Sequence, residues 1–315
     1  MRPRAPGWQR TPWLGVVVVL TAATVWGLSG CSTVTHPSAP TSTPVDRSPS
    51  PDATIPHAAV TMSRLPLVDG SRPVVSGDVV LAAQRDLPTI VWTPAGTGPF
   101  PLVVFVHGYD TGPLDYRRFC SALASTGYVV AAPSFPLEDP ARGFPLDRTH
   151  LSDEAADVAF VISAVDQGGA LRIDRSRVAV VGHSDGADVA LLVGYGAGAV
   201  DPRVGAVVAD APDPMSATAV ASPVPLLLVQ GTSDSVVPYS ASESVFGQID
   251  APVSYLSLIG ADHLPPIAGG TPWTPVLDAA VSRFLDASVA HRGPGVDSLA
   301  AELSRSPLVR FESKG

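Results

Sequence analysis

Positive charge is scarce in this chain of 315 residues. Lys and Arg together number 20 against 29 Asp and Glu, and the formal net charge is −9 at pH 7. A protein that binds nucleic acid needs a basic surface to neutralise phosphates, so this balance argues against a nucleic-acid partner. Charged residues make up only 16% of the chain and hydrophobic residues 45%, which allows a large buried core.

A hydrophobic run of membrane-spanning length is also lacking near the start of the chain. The apolar stretch there, "WLGVVVVLTAATVWGL", covers residues 13–28, whereas a spanning helix needs about 20 apolar residues. The stretch follows a positively charged start and fits the central region of a secretory signal. It leads into "LSGC", residues 28–31, which resembles a bacterial lipobox. That resemblance implies export and lipidation of Cys31, with a plain signal peptide or an uncleaved anchor as the alternative.

Cysteine is the third scarcity, because the chain has only Cys31 and Cys120. If Cys31 carries lipid, Cys120 has no partner, and an exported domain must be stable without a disulfide. Cys120 lies at helical spacing with Leu123 in "YRRFCSALAST". We therefore expect it to be a small buried hydrophobic residue and not a nucleophile.

Composition divides the chain into four parts. Residues 1–31 are the expected lipoprotein signal peptide and lipobox. Residues 32–70 are expected to be a linker, since 16 of the 25 residues from 32 to 56 are Ser, Thr or Pro and cannot form a core. Residues 71–287 are the expected catalytic domain, and residues 288–315 are expected to be a polar C-terminal tail. The lipidated Cys31 would tether the domain to the outer face of the cytoplasmic membrane.

Short apolar runs alternate with helical patterns through the domain. The runs that predict strands are residues 89–94, 101–108, 127–134, 177–182, 204–210, 225–231 and 253–260. Continuous apolar strands that alternate with helices predict an α/β fold with a mostly parallel sheet and helices on both faces. In open sheets of this kind, functional sites form at the carboxyl ends of the strands.

One stretch of sequence places a serine between two glycines. In "VAVVGHSDGADVALLVGY", residues 178–195, Ser184 follows a predicted strand and precedes a predicted helix. A bare G-x-S-x-G arises by chance in a chain rich in Gly and Ser, so the motif alone decides little. The strand–turn–helix context is the one that exposes a nucleophilic serine on a sharp turn. The pattern therefore favours Ser184 as a nucleophile.

A serine nucleophile needs a histidine base and an acid that orients the histidine. Of the seven histidines, elimination by position leaves His263 in "LIGADHLPP", directly after the last predicted strand. The side chain of His183, beside the serine, is expected to point away from it. The acid has two candidates, Asp234 in a polar turn-rich loop and Asp210 at the end of a strand. We favour Asp234, which gives the chain order Ser184, Asp234, His263.

Two backbone N–H groups are expected to form the oxyanion hole. One is that of Asp185, which follows the nucleophile, and the other is that of Tyr109, which follows the turn at Gly108. The carboxylate of Asp185 has two interpretations. It either lies near His263 and raises the pKa of its imidazole, or it is a solvated group that caps the following helix.

The motifs from "HGYDTGPLDYRRFCSALASTGYVVAAPSFP" to "VVGHSDGADVALL" resemble the α/β-hydrolase superfamily. The resemblance is to its chlorophyllase-like, dienelactone-hydrolase-like and polyester-hydrolase (cutinase-like) branch, and it covers roughly residues 75–287. It implies an α/β-hydrolase fold and ester hydrolysis without a metal or organic cofactor. The chain departs from polyester hydrolases in the acidic Asp185 and in the lack of a C-terminal disulfide. Residues 211–224 are too few for the large cap domain of lidded lipases, so we expect an open site.

These features together predict a serine carboxylic-ester hydrolase with Ser184, Asp234 and His263 as catalytic triad. Its substrates would be small to medium or lipid-like esters. Two other functions remain open from the sequence. One is an acyltransferase with the same triad, in which a hydroxyl acceptor replaces water. The other is a non-catalytic binding lipoprotein on a hydrolase scaffold.

Overall fold

The structure, a computed structural model, describes residues 57–214, 219–293 and 295–315. Six neighbouring strands of its main sheet run parallel, in the order β6, β5, β7, β8, β9, β10. They are β5 (Phe100–Val106), β6 (Val129–Pro133), β7 (Ile173–His183), β8 (Val204–Asp210), β9 (Leu226–Gly231) and β10 (Val253–Leu258). Each coincides with an apolar run in the sequence, as expected for strands that are covered on both faces.

Antiparallel strands complete both edges of this sheet. β4 (Arg85–Pro94) pairs with β6, and β1 (Val60–Asp69) pairs with β4 at one edge. At the other edge β11 (Val309–Lys314) pairs with β10. A separate hairpin joins β2 (Val74–Ser76) to β3 (Val79–Ala82).

These edge strands correct two boundaries expected from the sequence. The segment 32–70 is not linker throughout, because β1 lies inside it, and the segment 288–315 is not merely a polar tail, because it holds β11. β1 leaves six of its ten residues exposed and β11 leaves three of its six exposed. Backbone hydrogen bonds to the neighbouring strand keep such an edge strand in the sheet even where its side chains are not buried. It therefore needs no hydrophobic pattern from which it could be predicted. The expected signal peptide and lipobox, with Cys31, lie outside the described residues.

Helices cover the sheet on both faces. They are α1 (Arg117–Ser125), α2 (Leu151–Ala164), α3 (Asp185–Tyr195), α4 (Tyr239–Gln248), α5 (Pro265–Ala268), α6 (Thr274–Leu285) and α7 (Val296–Leu303). On one face α1, α5, α6 and α7 pack into a core that includes Phe105 and the buried Cys120. On the other face α2, α3 and α4 pack into a core that includes Val104 and Val106. Alternate residues of β5 thus enter opposite cores, and Cys120 is the buried residue that its spacing predicted.

The carboxyl ends of the central strands meet at one edge of the sheet. Val106 is paired with Gly182, His183 with Asp210, and Leu258 with Gly231. The connection from β8 to β9 has no room for a large cap. The topology is the α/β-hydrolase fold that the sequence predicted, and none of the described helices has the length and apolar character required to cross a membrane.

Candidate active site

Ser184 occupies a strained turn between β7 and α3. Its backbone angles are φ 56° and ψ −129°, a conformation that costs a residue with a side chain about 1–3 kcal/mol. A Cβ atom at Gly182 would lie 1.9 Å from the carbonyl oxygen of Gly186, and one at Gly186 would lie 2.2 Å from that of Val106. Both glycines are therefore required by close backbone approach, which is the physical meaning of the G-x-S-x-G pattern here.

His263 and Asp234 come together on the loops that follow β10 and β9. Nδ1 of His263 lies 2.8 Å from Oδ2 of Asp234. The same carboxylate oxygen accepts a hydrogen bond from Nε2 of Gln230 at 2.7 Å. Oδ1 accepts from the backbone N–H groups of Val236 and Val237, each at 2.8 Å. The Asp234 side chain is fully buried, and these four donors fix it in one orientation facing the imidazole.

Asp210 does not contact His263 in this arrangement. Its backbone oxygen accepts from the N–H of Ser184 at 2.9 Å, so it supports the turn below the nucleophile. Its side chain is buried, and Oδ2 has no hydrogen-bond partner among the described residues. Burial raises the pKa of this carboxyl well above its usual range. The geometry favours Asp234 over Asp210 as the triad acid.

The expected oxyanion hole lies between the Gly108 loop and the start of α3. A Cβ atom at Gly108 would lie 3.0 Å from Cβ of Ser184, so this loop runs directly against the nucleophile. Neither the N–H of Tyr109 nor that of Asp185 donates to another atom in the described part of the chain. The N–H of Asp185 also belongs to the first turn of a helix, where the helix dipole favours negative charge. The assignment of both N–H groups to an oxyanion hole stays a prediction.

The side chain of Asp185 is neither solvated nor unpaired. It is only 3% exposed, so its interpretation as a solvated cap is wrong. Arg148 binds it through two hydrogen bonds, Nε to Oδ2 at 3.0 Å and the terminal nitrogen to Oδ1 at 2.5 Å. Burial raises the pKa of Asp185 above its usual value, and the Arg148 guanidinium offsets only part of this effect. The other interpretation, an electrostatic effect of Asp185 on His263, stays a prediction.

A group of carboxylates surrounds this ion pair. Ligand oxygens of Asp185, Asp188 and Asp213 lie within 4.8 Å of one another, a spacing that a hard cation could bridge. Arg148 already pairs with two of the three. Behind them Glu138 and Glu154 are buried, and Glu138 has no hydrogen-bond partner on either oxygen in the described residues. Burial, with repulsion from Asp185, raises the pKa of Glu138 to about 8.

Glu138 should make stability fall as pH rises. Its pKa is about 8 in the fold against a reference of 4.5, so between these values the folded state holds a proton that the unfolded chain has lost. The free energy of unfolding then declines by up to about 1.4 kcal/mol per pH unit across that window. Glu138→Gln removes this dependence, and the thermal midpoint should fall less from pH 5 to pH 8 than in the wild type. The exposed Glu243→Gln is the matched control, and an equal fall in both variants would contradict the assignment.

Two exposed side chains with apolar surface lie at the rim of the site. One is on the loop of the expected N–H donor of Tyr109, and the other is on the loop of His263. Tyr109 is 40% exposed and Leu264 is 44% exposed, so both can touch a substrate. Phe135 lies in the core and packs against His107 with ring centroids 5.1 Å apart. In the described part of the chain, the rim of the site is therefore partly apolar and exposed.

Several residues of the site carried no sequence signal. Gln230 and Asp262 hold the acid and base loops, the latter by accepting from the N–H groups of Ser235 and His263, each at 2.8 Å. Arg148 comes from a turn 36 residues before Ser184. Such partners are recognised only by distance in the fold, because no spacing relates them to the motif.

The chain matches the family model described as Chlorophyllase over residues 75–237, just over half of its length. This range includes Ser184 and Asp234 but not His263. Chlorophyllase-1, chloroplastic, of Citrus sinensis is 35% identical over 126 residues, which are 38% of this chain and 37% of that protein. Chlorophyllase type 0 of Chenopodium album is 28% identical over 113 residues, 35% of this chain and 33% of that protein. The chain thus matches only about a third of the length of these curated relatives.

A solved structure resembles the chain over most of its length. The ferulic acid esterase from Streptomyces cinnamoneus superposes with a TM-score of 0.64 and covers 83% of this chain and 98% of its own. The two sequences are 21% identical, so this likeness shows the fold alone.

Proposed function

Because the chain belongs to the chlorophyllase family of α/β-hydrolases, we propose that it is a serine carboxylic-ester hydrolase that works through an acyl-enzyme. The observation that carries the proposal is the Asp234–His263 hydrogen bond at 2.8 Å. It lies at the same edge of the sheet as the strained turn at Ser184. A buried acid, a histidine and a serine on such a turn form the arrangement that activates a hydroxyl for attack.

The proposed reaction divides ester hydrolysis into two steps. Nε2 of His263 takes the proton of Ser184 as Oγ attacks the acyl carbonyl, and Asp234 stabilises the resulting imidazolium. The N–H groups of Tyr109 and Asp185 bind the tetrahedral oxyanion, each contributing roughly 3 kcal/mol. The bond to the alcohol oxygen then breaks, and His263 returns the proton to that oxygen. Water, deprotonated by the same histidine, attacks the acyl-enzyme. The acyl–Oγ bond then breaks, and His263 returns the proton to Oγ, which releases the acid and restores Ser184.

The substrate is proposed to be a small to medium or lipid-like ester. The exposed rings and chains of Tyr109 and Leu264 offer apolar contact at the rim of the site. Residues 211–225 between β8 and β9 are too few for a lid, so activation at a lipid interface is not needed to open the site. An open site accepts esters whose alcohol part extends into solvent.

A panel of p-nitrophenyl esters from acetate to palmitate, hydrolysed by the full chain, tests the proposed function. Fluorophosphonate labelling of the same sample reports an activated serine independently of acyl length. Products formed with an added alcohol distinguish hydrolysis from transfer to a hydroxyl acceptor. A chain that neither hydrolyses any ester nor reacts with fluorophosphonate would instead be a binding protein on a hydrolase scaffold.

We propose further that the protein is exported and tethered to the membrane through a lipidated Cys31. The support is "LSGC" at the end of the apolar stretch of residues 13–28. Cys31→Ala should move the protein from the membrane fraction to the soluble fraction, or leave a precursor of larger mass. Cys120→Ala, which changes a buried residue of the domain, is the control and should stay with the membrane. A Cys31→Ala protein of unchanged mass that remains in the membrane fraction would refute the proposal.

A further inference from the structure

His183 lies between the nucleophile and two other loops of the site. It is buried and precedes Ser184, and sequence reasoning assigned it no role beyond pointing away from the serine. Its Nε2 lies 3.1 Å from the backbone oxygen of His263, and the two imidazole rings are 4.7 Å apart. Its Nδ1 lies 3.0 Å from the phenol oxygen of Tyr116. A buried imidazole with a partner on each nitrogen is fully oriented.

The chemistry of the partners fixes the direction of these hydrogen bonds. A backbone carbonyl can only accept, so Nε2 of His183 carries the proton and donates to His263. Burial lowers the pKa of His183 to about 3, so the ring is neutral and Nδ1 accepts. The donor to Nδ1 is the hydroxyl of Tyr116, whose pKa burial raises to about 12. With these protonation states, Tyr116 donates to His183 and His183 donates to the carbonyl of His263.

The same chain of hydrogen bonds continues to the oxyanion loop. The N–H of Gly108 donates to the phenol oxygen of Tyr116 at 3.3 Å. The hydroxyl of Thr111 donates to the carbonyl oxygen of Gly108 at 2.5 Å. Its oxygen lies 3.4 Å from the phenol oxygen of Tyr116, farther than Nδ1 of His183 at 3.0 Å, so Nδ1 is the nearer acceptor for the Tyr116 proton. The order is therefore Gly108 N–H to Tyr116, Tyr116 O–H to His183, and His183 N–H to the carbonyl of His263. This chain of hydrogen bonds connects the Gly108 loop to the loop that carries His263, and it passes through His183, the neighbour of Ser184.

We propose that His183 is a positioning residue that holds the backbone of the catalytic base and the oxyanion loop at fixed distances from Ser184. The inference rests on the proposed function. The backbone of His263 is held at its N–H by Asp262 and at its carbonyl by His183, while Asp234 holds its ring. Loss of the carbonyl anchor frees the base to shift relative to Ser184. A displacement of about 1 Å at a reacting group can lower turnover about 100-fold.

Three variants test the role of His183 in turnover. His183→Leu removes both hydrogen bonds at similar volume and should lower kcat about 100-fold with KM changed less than about twofold. His183→Gln can place an amide N–H toward the carbonyl of His263 and should restore kcat to within about tenfold of the wild type. Tyr116→Phe, which keeps His183, should lower kcat about five- to tenfold, as for one hydrogen bond. Thermal midpoints of all three separate positioning from loss of stability.

An NMR measurement tests the hydrogen bonds without any reaction. In protein labelled with ¹⁵N-histidine, His183 should be the neutral Nε2–H tautomer from about pH 5 to pH 9, whereas an ordinary histidine titrates near 6.5. A protonated Nδ1 or a titration near pH 6.5 would overturn the proposal even if His183→Leu failed to fold. Two results with an active wild type would overturn this inference alone. One is a kcat of His183→Leu equal to that of the wild type, and the other is a kcat of His183→Gln no higher than that of His183→Leu. A wild type that neither hydrolyses esters nor reacts with fluorophosphonate would overturn the proposed function as well.

Discussion

Ser184→Ala is expected to abolish ester turnover and fluorophosphonate labelling while leaving the fold intact. The reaction requires an oxygen at this position to attack the acyl carbonyl, and no other side chain replaces it. In serine hydrolases, loss of the nucleophile lowers kcat by about 10⁶-fold, and the rest of the site retains a residual acceleration. Because serine and alanine share a Cβ, the strain at φ 56° is the same in both. The thermal midpoint should therefore change little.

A matched serine makes this test specific. Ser240 is exposed on α4, so Ser240→Ala should keep wild-type activity and labelling. The measurements are kcat/KM on a p-nitrophenyl ester and the rate of labelling by a fluorescent fluorophosphonate. Labelling of Ser184→Ala at the wild-type rate would show that another residue is the nucleophile.

The parallel sheet and the sharp turn at Ser184 could be predicted because their signals are local. Strands covered on both faces require continuous apolar runs, and the turn at Ser184 requires glycine at 182 and 186 for steric reasons. His263 followed from elimination by position in the chain. The edge strands β1 and β11 carried no such signal, since backbone pairing holds them while half or more of their residues are exposed.

The surroundings of the site could not be predicted because they depend on contacts between distant segments. The sequence left open whether the carboxylate of Asp185 is solvated or lies near His263, and it gave no sign of Arg148, which binds this buried carboxylate from a separate turn. Likewise Tyr116 meets His183 across 67 residues of chain. The packing of the whole fold decides which polar residues contact each other. The hydrophobic pattern of a single segment carries no information about these contacts.

Asp234→Asn is expected to lower kcat about 10⁴-fold, because an amide forces the wrong tautomer on the base. The Oδ1 atom accepts hydrogen bonds from the N–H groups of Val236 and Val237. A backbone N–H can only donate, so an acceptor must stay at this position. The amide oxygen of asparagine must therefore take this position. Its NH₂ group then faces His263 in place of Oδ2, and it donates to Nδ1 of the imidazole. The proton moves to Nε2, which can no longer accept a proton from Ser184.

The neighbour Gln230 cannot relieve this arrangement by turning its own amide. Its Nε2 donates to Oδ2 of Asp234 at 2.7 Å, and its oxygen is occupied by the hydroxyl of Ser242 at 2.6 Å. In the asparagine variant two NH₂ groups would face each other, so a loss of stability should accompany the loss of turnover.

Asp210→Asn is the control. The carboxylate that pairs with His263 is that of Asp234 and not that of Asp210, so the amide at Asp210 should change kcat much less than at Asp234. The pair is compared by kcat on one ester and by thermal midpoint, and a larger kcat loss at Asp210 would make Asp210 the triad acid.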